Sequence, residues 1–294
     1  MKIFQNKYLL LILIGIILIL VLMLVYLSFR GRKDKVNQNL QTTATVDIVP
    51  SPSPTESSVA TNKQEILDKY AGREAQEWGD STSGVIKDFT AQGKQIALTL
   101  DACPRSTDQS FDKRLIDYLA QNNIPATLFI SGSWAEKNRE NLDEIVKNPN
   151  FEIENHGMDH KPCSSKGESA FGVKGTENVS EIYDEIETSA NLLEEFTGKK
   201  VKFYRSGTGY ADEICVGVAE DIGEKVVNWS LAADGGATYS KDKIESLLDQ
   251  IESGQIAIVH MNHPEGPNAE AIIESIPKLQ SAGFDFVKLE DVIN

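Results

Sequence analysis

From Gln95 to the C-terminus, short apolar runs alternate with longer amphipathic stretches, and few folds accommodate that pattern. Ile96–Leu100 reads as a strand, and Phe111–Gln121 as a helix with Leu115, Ile116 and Leu119 at helical spacing. Further strands are expected at Ala126–Ile130, Phe151–Glu154, Val201–Tyr204, Lys225–Trp229, Ile256–Val259 and Phe286–Leu289. Helices are expected between them at Ala135–Lys147, Glu177–Phe196, Ile214–Ile222, Lys241–Ile251 and Ala269–Ala282. Strand–helix alternation argues for a parallel sheet with helices outside it. About seven such units fit an α/β barrel better than an open, two-sided sheet. Either way, residues that do chemistry belong just past the C-terminal ends of the strands.

The chain ahead of this region is organised differently. Tyr8–Phe29 carries no charge and as a helix would be about 33 Å long, enough to span a bilayer. It is longer than the apolar part of a cleaved signal and no small-x-small site follows it, so residues 8–29 read as an uncleaved transmembrane signal anchor behind a short tail, 1–7. Lys2 and Lys7 precede the span, and Arg30, Arg32, Lys33 and Lys35 follow it; these flanks alone do not favour an external C-terminus, although long domains are translocated despite such charges. Residues 30–62 are rich in Ser, Thr, Asn, Gln and Pro and read as a flexible tether; 63–94 read as an N-terminal extension of the domain at 95–294, with Trp78 and Phe89 packing on it. The whole chain has 29 Lys and Arg against 44 Asp and Glu, a net charge of −15. Most of the positive charge near the N-terminus flanks the anchor, so the rest is more acidic still, and nucleic-acid binding is excluded as a function class.

The chain has four histidines, His156, His160, His260 and His263, and all follow expected strands. His156-x-x-x-His160 lets two imidazoles meet one ion, although that spacing alone is weak evidence. Asp101, Arg205, Asn228-Trp229 and His260 end other strands, so one mouth would collect an Asp, an Arg and three His. Each has an ordinary explanation singly, as a helix cap, a surface pair or a core edge; together they are hard to explain without a site. The cysteines are Cys103, Cys163 and Cys215, too few for a disulfide scaffold. If the strand ends bearing Cys103 and Cys163 face one mouth, those two could pair and leave Cys215 over; unpaired thiols and a Cys–metal contact are the alternatives. Trp134, Trp229 and Tyr239 are of a type that stacks on sugar rings, but each is more often core.

These residues also carry a family resemblance. Thr99-Leu100-Asp101-Ala102, Asn155-His156-Gly157-Met158-Asp159-His160, Arg205-Ser206-Gly207-Thr208-Gly209, Asn228-Trp229-Ser230 and Ile256-Ala257-Ile258-Val259-His260 stand in the order and spacing of five motifs of the polysaccharide deacetylase (NodB-homology, carbohydrate esterase) family. The resemblance, over about two-thirds of the chain, implies a distorted (β/α) barrel and removal of N-acetyl groups from a cell-wall polysaccharide such as peptidoglycan. It implies a divalent metal, commonly zinc, held by His156 and His160, with Asp101 as general base and His260 as general acid. Arg205 would orient Asp101, Tyr210 would help build the carbonyl pocket, and Trp229 would support it.

One departure stands out. Where the family has a metal-binding Asp, this chain has Ala102, and a methyl group cannot ligate. Asp101 could itself be the third ligand, Asp159 or Asp234 could supply it from a loop, or the domain could be a membrane-tethered saccharide-binding pseudoenzyme. Asp101-Ala102-Cys103 together with Ser206–Gly209 and Ala233–Thr238 resembles a bacterial subgroup, which favours a coherent alternative site over decay. The expected placement is a single-pass membrane protein with its domain outside the cytoplasm.

Overall fold

The computed structural model describes residues 56–104 and 111–294. The uncharged run at 8–29 lies outside the described residues, and among these no helix is long and apolar enough to cross a membrane. The strands are β1 (Gln95–Ala102), β2 (Ala126–Ile130), β3 (Phe151–Asn155), β4 (Ser169–Ala170), β5 (Val173–Lys174), β6 (Phe203–Tyr204), β7 (Lys225–Val226), β8 (Leu231–Ala232), β9 (Ile256–His260) and β10 (Asp285–Val287). The helices are α1 (Glu56–Tyr70), α2 (Lys113–Gln121), α3 (Gly132–Lys137), α4 (Arg139–Ile145), α5 (Val179–Thr197), α6 (Glu213–Ile222), α7 (Lys241–Leu248) and α8 (Asn268–Ser281).

A curled parallel sheet runs β7-β6-β3-β2-β1-β9-β8, and β10 pairs with the start of β1. The seven expected strands are all present. β8 was not anticipated, because Leu231-Ala232 is too short to show a period. The expected helix at Ala135–Lys147 is two short helices that break at Asn138, whose side-chain amide donates to the Trp134 carbonyl. The antiparallel hairpin β4–β5 lies within the long loop after β3. α1 begins inside the stretch read as tether, and its Ile66 and Tyr70 are buried against the cluster under α5 and α6.

Strand alternation sorts side chains into two environments. On β1, Ile96, Leu98, Leu100 and Ala102 join the main apolar cluster with the helices. Ala97 packs with Phe129, Phe203, Val227 and Ile256 in a separate cluster inside the curl, and Thr99 and Asp101 reach Arg205 there. A one-residue slip of β1 would exchange these faces, so burial on both sides holds the register. The inner face is unusually polar for a barrel core: Thr127, Glu152 and Glu154 are buried as well. Glu154 accepts the backbone N–H of Lys202 and Phe203, each at 2.8 Å; Glu152 accepts the Thr127 hydroxyl and the Glu290 N–H.

The curl is closed by chain from outside the sheet. β7 and β8 are its two edges, yet only residues 227–230 separate them in sequence. Residues 86–89 fill the seam. The Ile86 N–H donates to the Val226 carbonyl (2.9 Å), the Asn228 N–H donates to the Ile86 carbonyl (2.8 Å), and the Phe89 N–H donates to the Gly254 carbonyl (2.9 Å). The N-terminal extension is thus part of the barrel wall.

The cysteines correct one expectation. Cys163 pairs with Cys215, not with Cys103, and Cys103 is free. Cys163 and Cys215 are buried together in the apolar cluster beneath α5 and α6, whereas Cys103 turns toward the histidines. The bridge joins the loop after His160 to the start of α6, across a sequence separation of 52.

Two outcomes follow for stability. In the chain-entropy model a loop of this size contributes about 4 kcal/mol, so reduction should lower Tm by about 10 °C in a thermal melt; an unchanged Tm would contradict the bridge. Burial, reinforced by the Glu152 charge, pushes the Glu154 carboxyl well above its ordinary range. A folded-state pKa above the unfolded value favours folding at low pH, and that contribution is lost as pH rises through the folded pKa. Glu154→Gln should therefore raise Tm relative to the parent more at pH 8 than at pH 5.

Candidate active site and metal centre

Asp101 is the penultimate residue of β1, His156 follows β3, Arg205 follows β6, Trp229 follows β7 and His260 ends β9, all at the C-terminal end of the curl. Asp101, Cys103, His156, His160, Trp229 and His260 line one cavity of about 530 Å³. A larger one, about 680 Å³, is lined by residues including Phe151, Glu152, Lys202 and Lys288 and holds no His or Cys.

Arg205 is fully buried. Its guanidinium donates to Asp101 Oδ1 (2.6 Å), the Thr99 hydroxyl (3.0 Å) and the carbonyls of Val227 and Asn228 (both 3.1 Å), and it lies 3.9 Å from the Phe129 ring centroid. The Arg205 carbonyl accepts from His156 Nδ1 at 2.8 Å. A carbonyl can only accept, so Nδ1 carries a proton and Nε2 is the nitrogen left facing the cavity as a potential ligand. That nitrogen is 3.4 Å from Asp101 Oδ2 and 3.6 Å from Cys103 Sγ. An acceptor nitrogen facing a carboxylate and a sulfur is a place for a cation.

His160 sits on the same loop with φ of 59°, its ring 4.7 Å from that of His156. The donor atoms of Cys103, His156 and His160 all lie within 4.8 Å of one another. Tetrahedral zinc, with bonds of about 2.0–2.3 Å, needs donors roughly 3.5 Å apart. The Cys103–His156 distance meets that requirement and the third donor needs a modest inward shift. Three protein ligands with one open position is also the pattern of a catalytic zinc. Burial alone would raise the Cys103 thiol, but the facing His160, His156 and His260 outweigh it and bring the thiol well below its usual range. A low-pKa thiol is ready to become the thiolate a metal requires.

His260 belongs to a second group. Its Nδ1 lies 3.1 Å from both oxygens of buried Asp234, which also accepts the His260 backbone N–H (2.6 Å) and the Asn268 amide (2.8 Å). Burial opposes charge on His260, but Asp234 and Cys103 outweigh it and hold the imidazole protonated well above its ordinary range.

The remaining candidates separate. Asp234 is committed to His260, and the Asp159 side chain is exposed. Tyr210 is not among the residues lining the cavity; its ring lies between Trp78 and Phe171. Trp229 lines the cavity, and a Cβ on Gly209 would come within 2.4 Å of its ring, so that position needs glycine. Trp134 is core, and Tyr239 is partly exposed. His263 approaches Glu265 outside the metal group. Sequence reasoning missed Glu185, which lies one helix away. This buried carboxylate on α5 accepts the backbone N–H of Asp159 (3.0 Å) and Lys161 (3.0 Å), on either side of His160. A Cβ on Gly157 would lie 2.5 Å from it, so that glycine lets the loop close over the helix.

Residues 89–227 match the family model described as polysaccharide deacetylase. That segment is similar to the polysaccharide deacetylase family. A peptidoglycan-N-acetylglucosamine deacetylase of Bacillus cereus is 23% identical over 68% of this chain and 88% of its own length. Among solved structures, Bacillus subtilis PdaA, a family 4 carbohydrate esterase, is 19% identical with a TM-score of 0.60, covering 85% of this chain and 94% of that one. A family 4 pseudoenzyme from Bacillus anthracis is 20% identical with a TM-score of 0.59, covering 80% and 81%. These two likenesses show the fold, the curled half-barrel of this family.

Groups that orient metal ligands from behind typically carry about 10- to 100-fold in affinity. Glu185→Ala should weaken zinc binding by that order in a chelator-competition titration, and Glu185→Gln, which keeps an acceptor oxygen, should restore most of it.

Proposed function

We propose that the chain is a metal-dependent deacetylase that removes N-acetyl groups from a cell-wall or extracellular polysaccharide, with peptidoglycan as the substrate class. The observation that carries this reading is Cys103 Sγ standing beside His156 and His160, where Ala102 leaves the family's usual ligand missing. Cys103, His156 and His160 would hold the ion, and one thiolate with two imidazoles suits zinc. When bound, the ion polarises the amide carbonyl and lowers the pKa of water.

The chain's own groups supply the rest. Asp101, held through Oδ1 by Arg205, keeps Oδ2 free to accept a proton from the attacking water. Water adds to the carbonyl carbon, the C–N bond breaks, and protonated His260 gives its proton to the departing amine, leaving acetate and an amino sugar. Asp234 keeps His260 charged for that step. Trp229, Thr208 and Gly209 wall the cavity.

A second reading is a non-catalytic saccharide-binding domain. Ala102 favours it, as does the fold likeness to a pseudoenzyme. For location, residues 8–29 support a single membrane anchor and the Cys163–Cys215 bridge supports an extracytoplasmic domain.

The test is acetate release by the full chain from N-acetylglucosamine oligomers. Release should stop with a chelator, return with zinc, and fall by about 10²-fold or more in Asp101→Asn. Release that persists through chelation would overturn the metal role, and oligomer binding without metal or acetate would establish the second reading.

A further inference from the structure

Three aromatic rings run outward from the cavity. Phe171 lines the cavity and is 80% exposed. Its ring meets Tyr210 edge-on at 5.4 Å, and Tyr210 lies 5.7 Å from Trp78. A single exposed Phe is ordinary on a protein surface. This one stands at the tip of the β4–β5 hairpin with φ of 50°, a conformation that bulky residues avoid, followed by Gly172 at 79°. Any small polar residue would make that turn more easily.

The supports of the row are rigid. The Gly175 N–H donates to the Glu168 carbonyl, the Thr176 N–H donates to the Pro162 carbonyl, and the Cys163–Cys215 bridge adjoins the hairpin's base. Trp78 is placed by the reciprocal backbone bonds between Gly79 and Ala211, next to Tyr210. The rings therefore stand in position before anything binds, which removes an ordering cost. The strongly acidic chain offers no attraction to an anionic polymer, so affinity for a sugar chain has to come from apolar ring faces and hydrogen bonds. Phe171 is exposed and Tyr210 and Trp78 are half-buried, and aromatic faces beside a site that takes a sugar fit the C–H-bearing faces of neighbouring sugar units.

We infer that Phe171, Tyr210 and Trp78 form a subsite strip for the sugar units next to the one whose acetamido group enters the cavity, so that the ligand is a glycan chain and not a single sugar. The inference rests on the proposed deacetylase reading and adds the residues that would hold the sugars flanking the reacting one. It also gives the N-terminal extension, through Trp78, a share in recognition.

The test compares N-acetylglucosamine dimer and hexamer on the full chain, with calorimetric binding and acetate release measured on the same samples. The parent should prefer the hexamer. Phe171→Ala should cut the hexamer-to-dimer ratio of kcat/KM about tenfold, through KM, about what covering one aromatic face supplies. Phe171→Trp should restore the ratio, and Tm should not move because the side chain is exposed. An equal preference in the parent, or a ratio indifferent to Phe171→Ala, overturns the strip even if acetate is released. Hexamer binding that weakens in Phe171→Ala while no variant releases acetate keeps the strip and overturns the activity. A parent that neither binds nor deacetylates the hexamer overturns both.

Discussion

The arrangement of the site depends on one buried cation. Arg205 crosses the inside of the curl and joins β1, through Thr99 and Asp101, to the carbonyls at 227 and 228 where the chain leaves β7. A fully buried guanidinium is tolerable only when its donors are satisfied and its charge is matched. Asp101 supplies the charge, and the face of Phe129 covers the guanidinium plane. The same residue's carbonyl sets the tautomer of His156. The carboxylate and one of the imidazoles are thus oriented from a single position, one through a side chain and the other through a backbone oxygen.

Much of this was legible in the sequence. The apolar runs from Ile96, Ala126, Phe151 and Ile256 are long enough to show a buried strand, and the residues just past them converge as the general rule for parallel sheets requires. Short elements were not legible. Leu231-Ala232 carries no period, and the seam at 86–89 has hardly any ladder of its own. Cys163 and Cys215 were misjudged because spacing along the chain says nothing of which cysteines a shared apolar cluster brings together. Tyr210 was placed in the cavity by its neighbourhood in a motif, while its ring follows the aromatic contacts with Trp78 and Phe171. Glu185 gives no sequence signal, being one acidic residue in a helix full of them.

The exchange of a carboxylate for a thiol changes more than one ligand. Ala102 points into the helix-facing core, so in the proposed site the donor would come from Cys103, beyond the strand's end. A thiolate is a softer donor than a carboxylate and must lose a proton before it binds, which couples occupancy to pH. With that donor set Asp101 would be spared coordination, and it is paired with Arg205. On the proposed reading the base and the thiol ligand, which the usual motif draws from adjacent carboxylates, would be chemically distinct groups.

The strap through Ile86 and Phe89 has an engineering consequence. The family-model match begins at residue 89, so a fusion or truncation designed from that match alone would cut through the wall. It would strip the backbone partner, Ile86, from residues 226 and 228, and leave Phe89, which bonds residue 254, at the very end of the chain. An unpaired sheet margin facing solvent is a template for intermolecular pairing. Recombinant versions trimmed at that boundary would be lost to precipitation before any question of catalysis arose.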